Sequence, residues 1–194
     1  MKKIILATSI ILQTTFLFAQ DAPKGISVAS IAPTFKATDQ NGKTVNSKTL
    51  LKKGPIVIVF YRGQWCPYCN KQLKQLEDSI KFITSKNATV IAITPEKPEN
   101  VLKTIKKTNA SFPILFDNAL KILKAYDVNF AVDTKTIEKY KGYGINFEDA
   151  NGSIGANLPV PAVYIIGQDG KVAFKYFDKN YAKRISVAEI ISHL

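Results

Sequence analysis

Apolar residues fall along this chain in two kinds of pattern, and each predicts a different element. Ile56–Tyr61 is a continuous apolar run with no polar alternation, which predicts a central strand covered on both faces; Thr89–Thr94 predicts a second buried strand. From Asn70 onward the apolar residues recur at helical spacing (Leu73, Leu76, Ile80, Ile83), and Pro98–Thr108 places Val101, Leu102 and Ile105 on one helical face. Pro113–Phe116 predicts a short strand, and Leu120–Tyr126 a helix with Asp117 or Asn118 as its cap. Asn41-Gly42 marks a hairpin turn within Phe35–Val45. A second hairpin turn, Gln168–Lys171, joins strands Ala162–Ile166 and Val172–Phe177, and Arg184–His193 closes the chain as a helix. Val128–Leu158 is less regular, with Tyr140, Tyr143 and Phe147 set among several glycines. Three strand–helix units followed by a hairpin and a helix predict an α/β fold, a mixed central β-sheet flanked by helices. No repeat and no domain linker is visible.

The start of the chain departs from this pattern. Lys2 and Lys3 precede a mostly apolar stretch, Ile4–Phe18, that ends at Ala19. This reads as a signal peptide over residues 1–19, removed on export to the periplasm. The stretch is short for a membrane span, which needs roughly 20 apolar residues, so no stable membrane association is expected after its removal. Residues 20–30 form a lead-in segment and residues 31–194 one domain.

Composition changes the picture little. The 194 residues are 46% hydrophobic, an ordinary globular balance. The formal charge is +12, and loss of residues 1–19 lowers it to +10. Lysines are spread through every helical segment, in groups no larger than pairs such as Lys52-Lys53 and Lys106-Lys107. With no arginine-rich block or basic-aromatic motif, nucleic-acid binding is not expected.

The chemistry rests on two cysteines, Cys66 and Cys69, in the run Tyr61-Arg62-Gly63-Gln64-Trp65-Cys66-Pro67-Tyr68-Cys69. They sit where the first strand gives way to a helix, which Pro67 suits because its missing N–H would be unpaired there. A helix N-terminus favours negative charge, and the thiolate is the reactive form of cysteine. Cys66 is therefore the expected low-pKa nucleophile. Cys69, one turn deeper, is placed to capture it as an internal Cys66–Cys69 disulfide. A structural staple is a poor reading, since closing so short a loop constrains the unfolded chain hardly at all. Zinc or copper would need further ligands, yet the only histidine is His193 and no methionine follows Met1. A metal-handling module is thus the least favoured alternative, and no cofactor is implied. Arg62 and Lys71 are candidates for positive potential near the sulfurs, Trp65 for sheltering Cys66. Val160-Pro161, just before a strand, is a candidate cis-proline that would present Val160 backbone groups to an extended substrate.

Together, the strand, the W-C-x-x-C at a helix start and the V-P before a later strand resemble the thioredoxin fold. The resemblance is closer to the alkyl hydroperoxide reductase/thiol-specific antioxidant (AhpC/TSA, peroxiredoxin-like) branch and its exported members. It is carried by Ala32-Pro33-Thr34-Phe35, by Phe60-Tyr61, by the cysteine motif and by Phe112–Asp117. It implies that Cys66 is the attacking and Cys69 the resolving cysteine, that Pro161 is the cis-proline, and that Arg62, Trp65, Val160 and Pro161 border the substrate. It also implies a peroxide substrate and a thioredoxin-like dithiol reductant. The alternative is an exported thiol–disulfide oxidoreductase acting on protein disulfides. Two departures stand out. Typical peroxiredoxins have Pro and Thr or Ser where this chain has Val59 and Gly63, and thioredoxins have a buried acid where it has Phe60. Arg184 falls in a pattern seen in the branch and has no role that the sequence supplies.

Overall fold

A computed structural model describes residues 22–194. The expected signal peptide, residues 1–19, lies outside the described residues. A short hairpin comes first, β1 (Lys36–Thr38) with β2 (Thr44–Asn46), followed by α1 (Ser47–Leu51), a helix that the apolar pattern does not announce. The central elements are β3 (Ile56–Phe60), α2 (Pro67–Asp78), α3 (Ile80–Thr84), β4 (Thr89–Thr94), α4 (Pro98–Thr108), β5 (Ile114–Phe116) and α5 (Lys121–Ala125). β6 (Asn129–Ala131), α6 (Thr134–Gly142), α7 (Phe147–Asn151), a 3-10 turn and β7 (Asn157–Pro159) occupy the stretch that showed no period. The chain ends with β8 (Ala162–Ile166), β9 (Val172–Phe177) and α8 (Val187–Ser192).

The five-stranded sheet runs β5-β4-β3-β8-β9. β3, β4 and β5 are parallel, while β8 runs antiparallel to β3 and β9 antiparallel to β8. This is the mixed sheet of a thioredoxin-like fold. Because successive strand residues point to opposite faces, β3 splits its side chains between two cores. Val57 and Val59 pack with Leu73, Leu76, Val101 and Ile190 beneath α2, α4 and α8. Ile56, Ile58 and Phe60 pack on the other face with Ile91, Ile93, Leu123, Tyr126 and Tyr164. Every residue of β3 and β8 is buried, as central strands require.

Ser79 divides the long predicted helix after β3 into α2 and α3. Asp117 caps α5 as expected, its carboxylate accepting from the N–H groups of Lys121, Ile122 and Leu123. The closing helix starts at Val187 rather than Arg184, because Ser186 caps it by accepting from Glu189 N–H. The lead-in is bonded to the domain: Gly25 N–H donates to Asp127 O, and Ala29 N–H to Val172 O.

Candidate active site

Cys66 is the N-cap of α2, with Pro67 in the first turn. The loop before it is held from three sides. Gln64 O accepts from Asn70 Nδ2 at 2.8 Å and from Lys107 Nζ at 2.9 Å, and Gln64 N–H donates to Glu96 Oε2 at 2.8 Å. The sulfurs of Cys66 and Cys69 are free thiols 2.7 Å apart, only 2% and 0% exposed. Arg184, from the loop after β9, brings Nη2 to 3.4 Å from the Cys69 sulfur.

The pair titrates as a unit. Burial pushes Cys69 up, but the hydrogen bond from Cys66 and the charge of Arg184 outweigh it and bring this thiol down to about 6. The Cys66 thiol is pushed up, first by its hydrogen bond to Cys69 and then by burial. The two sulfurs therefore release one proton readily and hold the second. The sequence placed the low pKa on Cys66 from the helix terminus alone; with Arg184 beside Cys69, the resting charge favours the deeper sulfur.

Two of the expected site residues meet directly. Arg62 is buried, and its guanidinium lies 4.9 Å from the Trp65 ring centroid, 5.3 Å from Tyr140 and 4.4 Å from Tyr181. Its Nη2 also donates to the Tyr140 hydroxyl. Val160 and Pro161 line a cavity of about 250 Å³ with Arg62, Leu158, Tyr140 and Tyr181. Lys71 stands exposed on α2. The expectation of a cis Val160–Pro161 bond is corrected, since no described peptide bond is cis. Val160 N–H is also not offered to a substrate: it donates to Val128 O at 2.8 Å, beside the β6–β7 ladder.

Three contributors were not read from the sequence. Tyr140 and Phe147 come from the segment without a period, and their rings stand 5.3 and 6.0 Å from Trp65. Their aromatic spacing was visible, but nothing local said what they would cover. Glu96, just past β4, is 1% exposed, and burial raises its carboxyl to about 8. It supplies a buried acid near the dithiol from a different strand, while Phe60 packs on the opposite face against Tyr126 and Tyr164. Gly63 is explained by the same group. A Cβ there would lie 2.5 Å from Trp65 Nε1 and 2.7 Å from Glu96 Oε1, so the indole and the carboxyl fill the space a Thr or Ser would need. Among the described residues no three His, Cys, Asp or Glu side chains cluster as a metal site.

A vicinal dithiol at a helix N-terminus on this sheet defines a thiol-dependent oxidoreductase of thioredoxin fold. Known proteins agree. The AhpC/TSA family pattern matches residues 28–175, and the chain belongs to that family. It is 25% identical over 151 residues to the thiol-disulfide oxidoreductase ResA of Bacillus cereus, covering 77% of this chain and 69% of the relative. It is 33% identical over 103 residues to the chloroplastic peroxiredoxin Q of Gentiana triflora, covering 53% and 47%. The fold is similar to that of peroxidoxin BcpB from Mycobacterium tuberculosis (TM-score 0.66, 18% identity, 86% of this chain and 94% of the other). It is also similar to the thioredoxin domain of a thiol-disulfide oxidoreductase from Bacteroides vulgatus (TM-score 0.55, 15% identity, 81% and 94%).

Proposed function

We propose that the protein is a thiol peroxidase in which Cys66 attacks the peroxide and Cys69 resolves the product. The pair's shared proton shifts to Cys69, and the Cys66 thiolate so formed attacks the peroxide oxygen; an S–O bond forms, the O–O bond breaks, and the departing alkoxide or hydroxide takes up the proton that Cys69 then gives back. Sulfur is oxidised to the sulfenic acid as the peroxide is reduced. The Cys69 thiolate then attacks the Cys66 sulfur, forming the disulfide and releasing water once the departing hydroxide is protonated. A thioredoxin-like dithiol returns the disulfide to two thiols.

One observation carries this choice of substrate. The two sulfurs are buried and the Val160 N–H is already bonded, so the approach past Arg62 suits a small molecule better than an extended protein strand. Cys69 and burial push the Cys66 thiol up and the charge of Arg62 opposes that rise only in part; Arg62 also lines that cavity, which suits it to polarise the O–O bond in place of the absent Thr hydroxyl. A second reading, disulfide exchange on exported proteins, is favoured by the kinship with ResA and by the resolving sulfur lying 2.7 Å away. Stopped-flow oxidation by hydrogen peroxide, set against reduction of a model protein disulfide, decides between them. The peroxidase reading expects the first to be faster, with Cys66→Ser abolishing it and Cys69→Ser stalling at a trappable sulfenic acid. Normal turnover by Cys69→Ser would remove the resolving role.

The working compartment proposed is the periplasm. Support comes from the pattern of residues 1–19, and N-terminal sequencing of the mature protein tests it, with a start after Ala19 expected.

A further inference from the structure

Arg184 carries the strongest unassigned geometry in the molecule. Its loop is tied down on both sides. Asn180 N–H donates to Asp178 Oδ1, Lys183 N–H donates to Asn180 O, and Ile185 is buried in the core that holds the dithiol. The guanidinium is fixed from behind as well, Nη1 donating to the carbonyls of Tyr181 and Lys183. That leaves Nη2 facing the Cys69 sulfur. Among the described residues no carboxylate forms an ion pair with Arg184, so the anion its charge meets is sulfur.

We propose that Arg184 is a catalytic residue of the resolving step, holding the Cys69 sulfur as a thiolate until it attacks the Cys66 sulfenic acid. The proposal rests on the peroxidase reading for the identity of the oxidised partner. In the step itself the Cys69–Cys66 S–S bond forms from the thiolate electron pair. The Cys66 S–O bond breaks, and the departing hydroxide is protonated to water. No further oxidant or reductant is needed.

The other groups facing Cys69 set the conditions of the test. Cys66 shares its proton. The Arg62 backbone N–H, from the loop after β3, favours the Cys69 anion. Tyr61, just past β3, is raised well above the ordinary phenol range, burial first, and stays neutral. Glu96, past β4, is uncharged below about 8 and opposes the thiolate above it.

The test uses hydrogen peroxide and the full domain. The two phases of oxidation are followed by Trp65 fluorescence, and the reduced dithiol is titrated by thiolate ultraviolet absorbance. In Arg184→Gln the first thiolate to form should titrate higher by about one pH unit or more. Disulfide closure should slow about threefold at a pH of about 6.5 and recover as the pH approaches about 8, since a rise from about 6 to about 7 cuts the thiolate fraction from roughly three-quarters to one-quarter. Sulfenic acid formation should hold or quicken, because less of the pair's negative charge is then drawn to Cys69. Arg184→Lys should restore part of the closure rate. Equal slowing of both phases, a pH-independent loss, or an unchanged titration would overturn the proposal, since a merely structural arginine gives those results. A wild-type protein inert to peroxide would instead remove the peroxidase reading, and the titration alone would then decide the Arg184–Cys69 contact.

Discussion

The central sheet and the β6–α6–α7–β7 cap are two solutions to building a site, and they differ in what holds them. The sheet is closed by apolar burial on both faces and backbone ladders along every central strand. The cap has a small core of its own, Val132, Phe147 and Leu158, and no fully buried residue in α6. It is tied on by polar contacts: Asn100 Nδ2 donates to the carbonyls of Asp149 and Ala150, and Lys97 N–H to that of Ala150. The dithiol sits where the two meet. Global stability should therefore belong to the sheet, and access to Cys66 to the cap.

The largest effect should come from the sheet. Ile91→Ala removes a fully buried side chain and should cost about 2–5 kcal/mol in urea unfolding, with the alkylation rate of folded Cys66 unchanged. A changed rate would mean that the two regions are not separable.

Glu96→Gln probes the end of the sheet next. The folded carboxyl titrates at about 8, above its ordinary value of 4.5, so its protonated form is favoured on folding. Stability linked to it is fully present below about 4.5 and is lost as the pH rises through about 8. The neutral glutamine should raise stability by about 2–4 kcal/mol above that pH and by nothing measurable in acid. Thermal melts across the range check this, and a pH-independent difference would contradict it.

Asn100→Ala should cost about 1 kcal/mol, since the carbonyls of Asp149 and Ala150 lose its amide while Ala150 O keeps Lys97 N–H. Hydrogen exchange should quicken across residues 134–157 while β3 and β4 stay protected. Equal loss of protection in both regions would merge cap and sheet into one cooperative unit. The smallest change, Tyr140→Phe, removes only the hydroxyl that accepts from Arg62 and should cost less than about 1 kcal/mol. A few-fold faster alkylation of Cys66 would show that this bond steadies the cap; an unaltered rate would assign the covering to the rings alone.

Legibility followed the same division. The strands β3, β4, β8 and β9, the helix α4 and the Asn41-Gly42 hairpin all lie where apolar runs, helical period and turn residues placed them, because each of those signals is local in the chain. The cap left none. β6 and β7 are three residues each and half-exposed in part, and α6 meets the protein mainly through Tyr140 and Ile137, too few positions to set a period. At the site, Cys66, Cys69, Arg62 and Trp65 were legible because they share one short motif. Glu96 and Arg184 were not, for they reach the dithiol from just past β4 and from beyond β9, 30 and 118 residues after Cys66.

By itself, the order of residues determined the sheet, the pairing of two cysteines one turn apart and the place of that pair at a helix start, since each depends on neighbours close in the chain. Only the folded molecule decided which sulfur bears the charge, what fills the space over Gly63, and that Val160 N–H is already taken. Electrostatic and steric effects of this kind depend on distance in space, and spacing along the chain does not encode it.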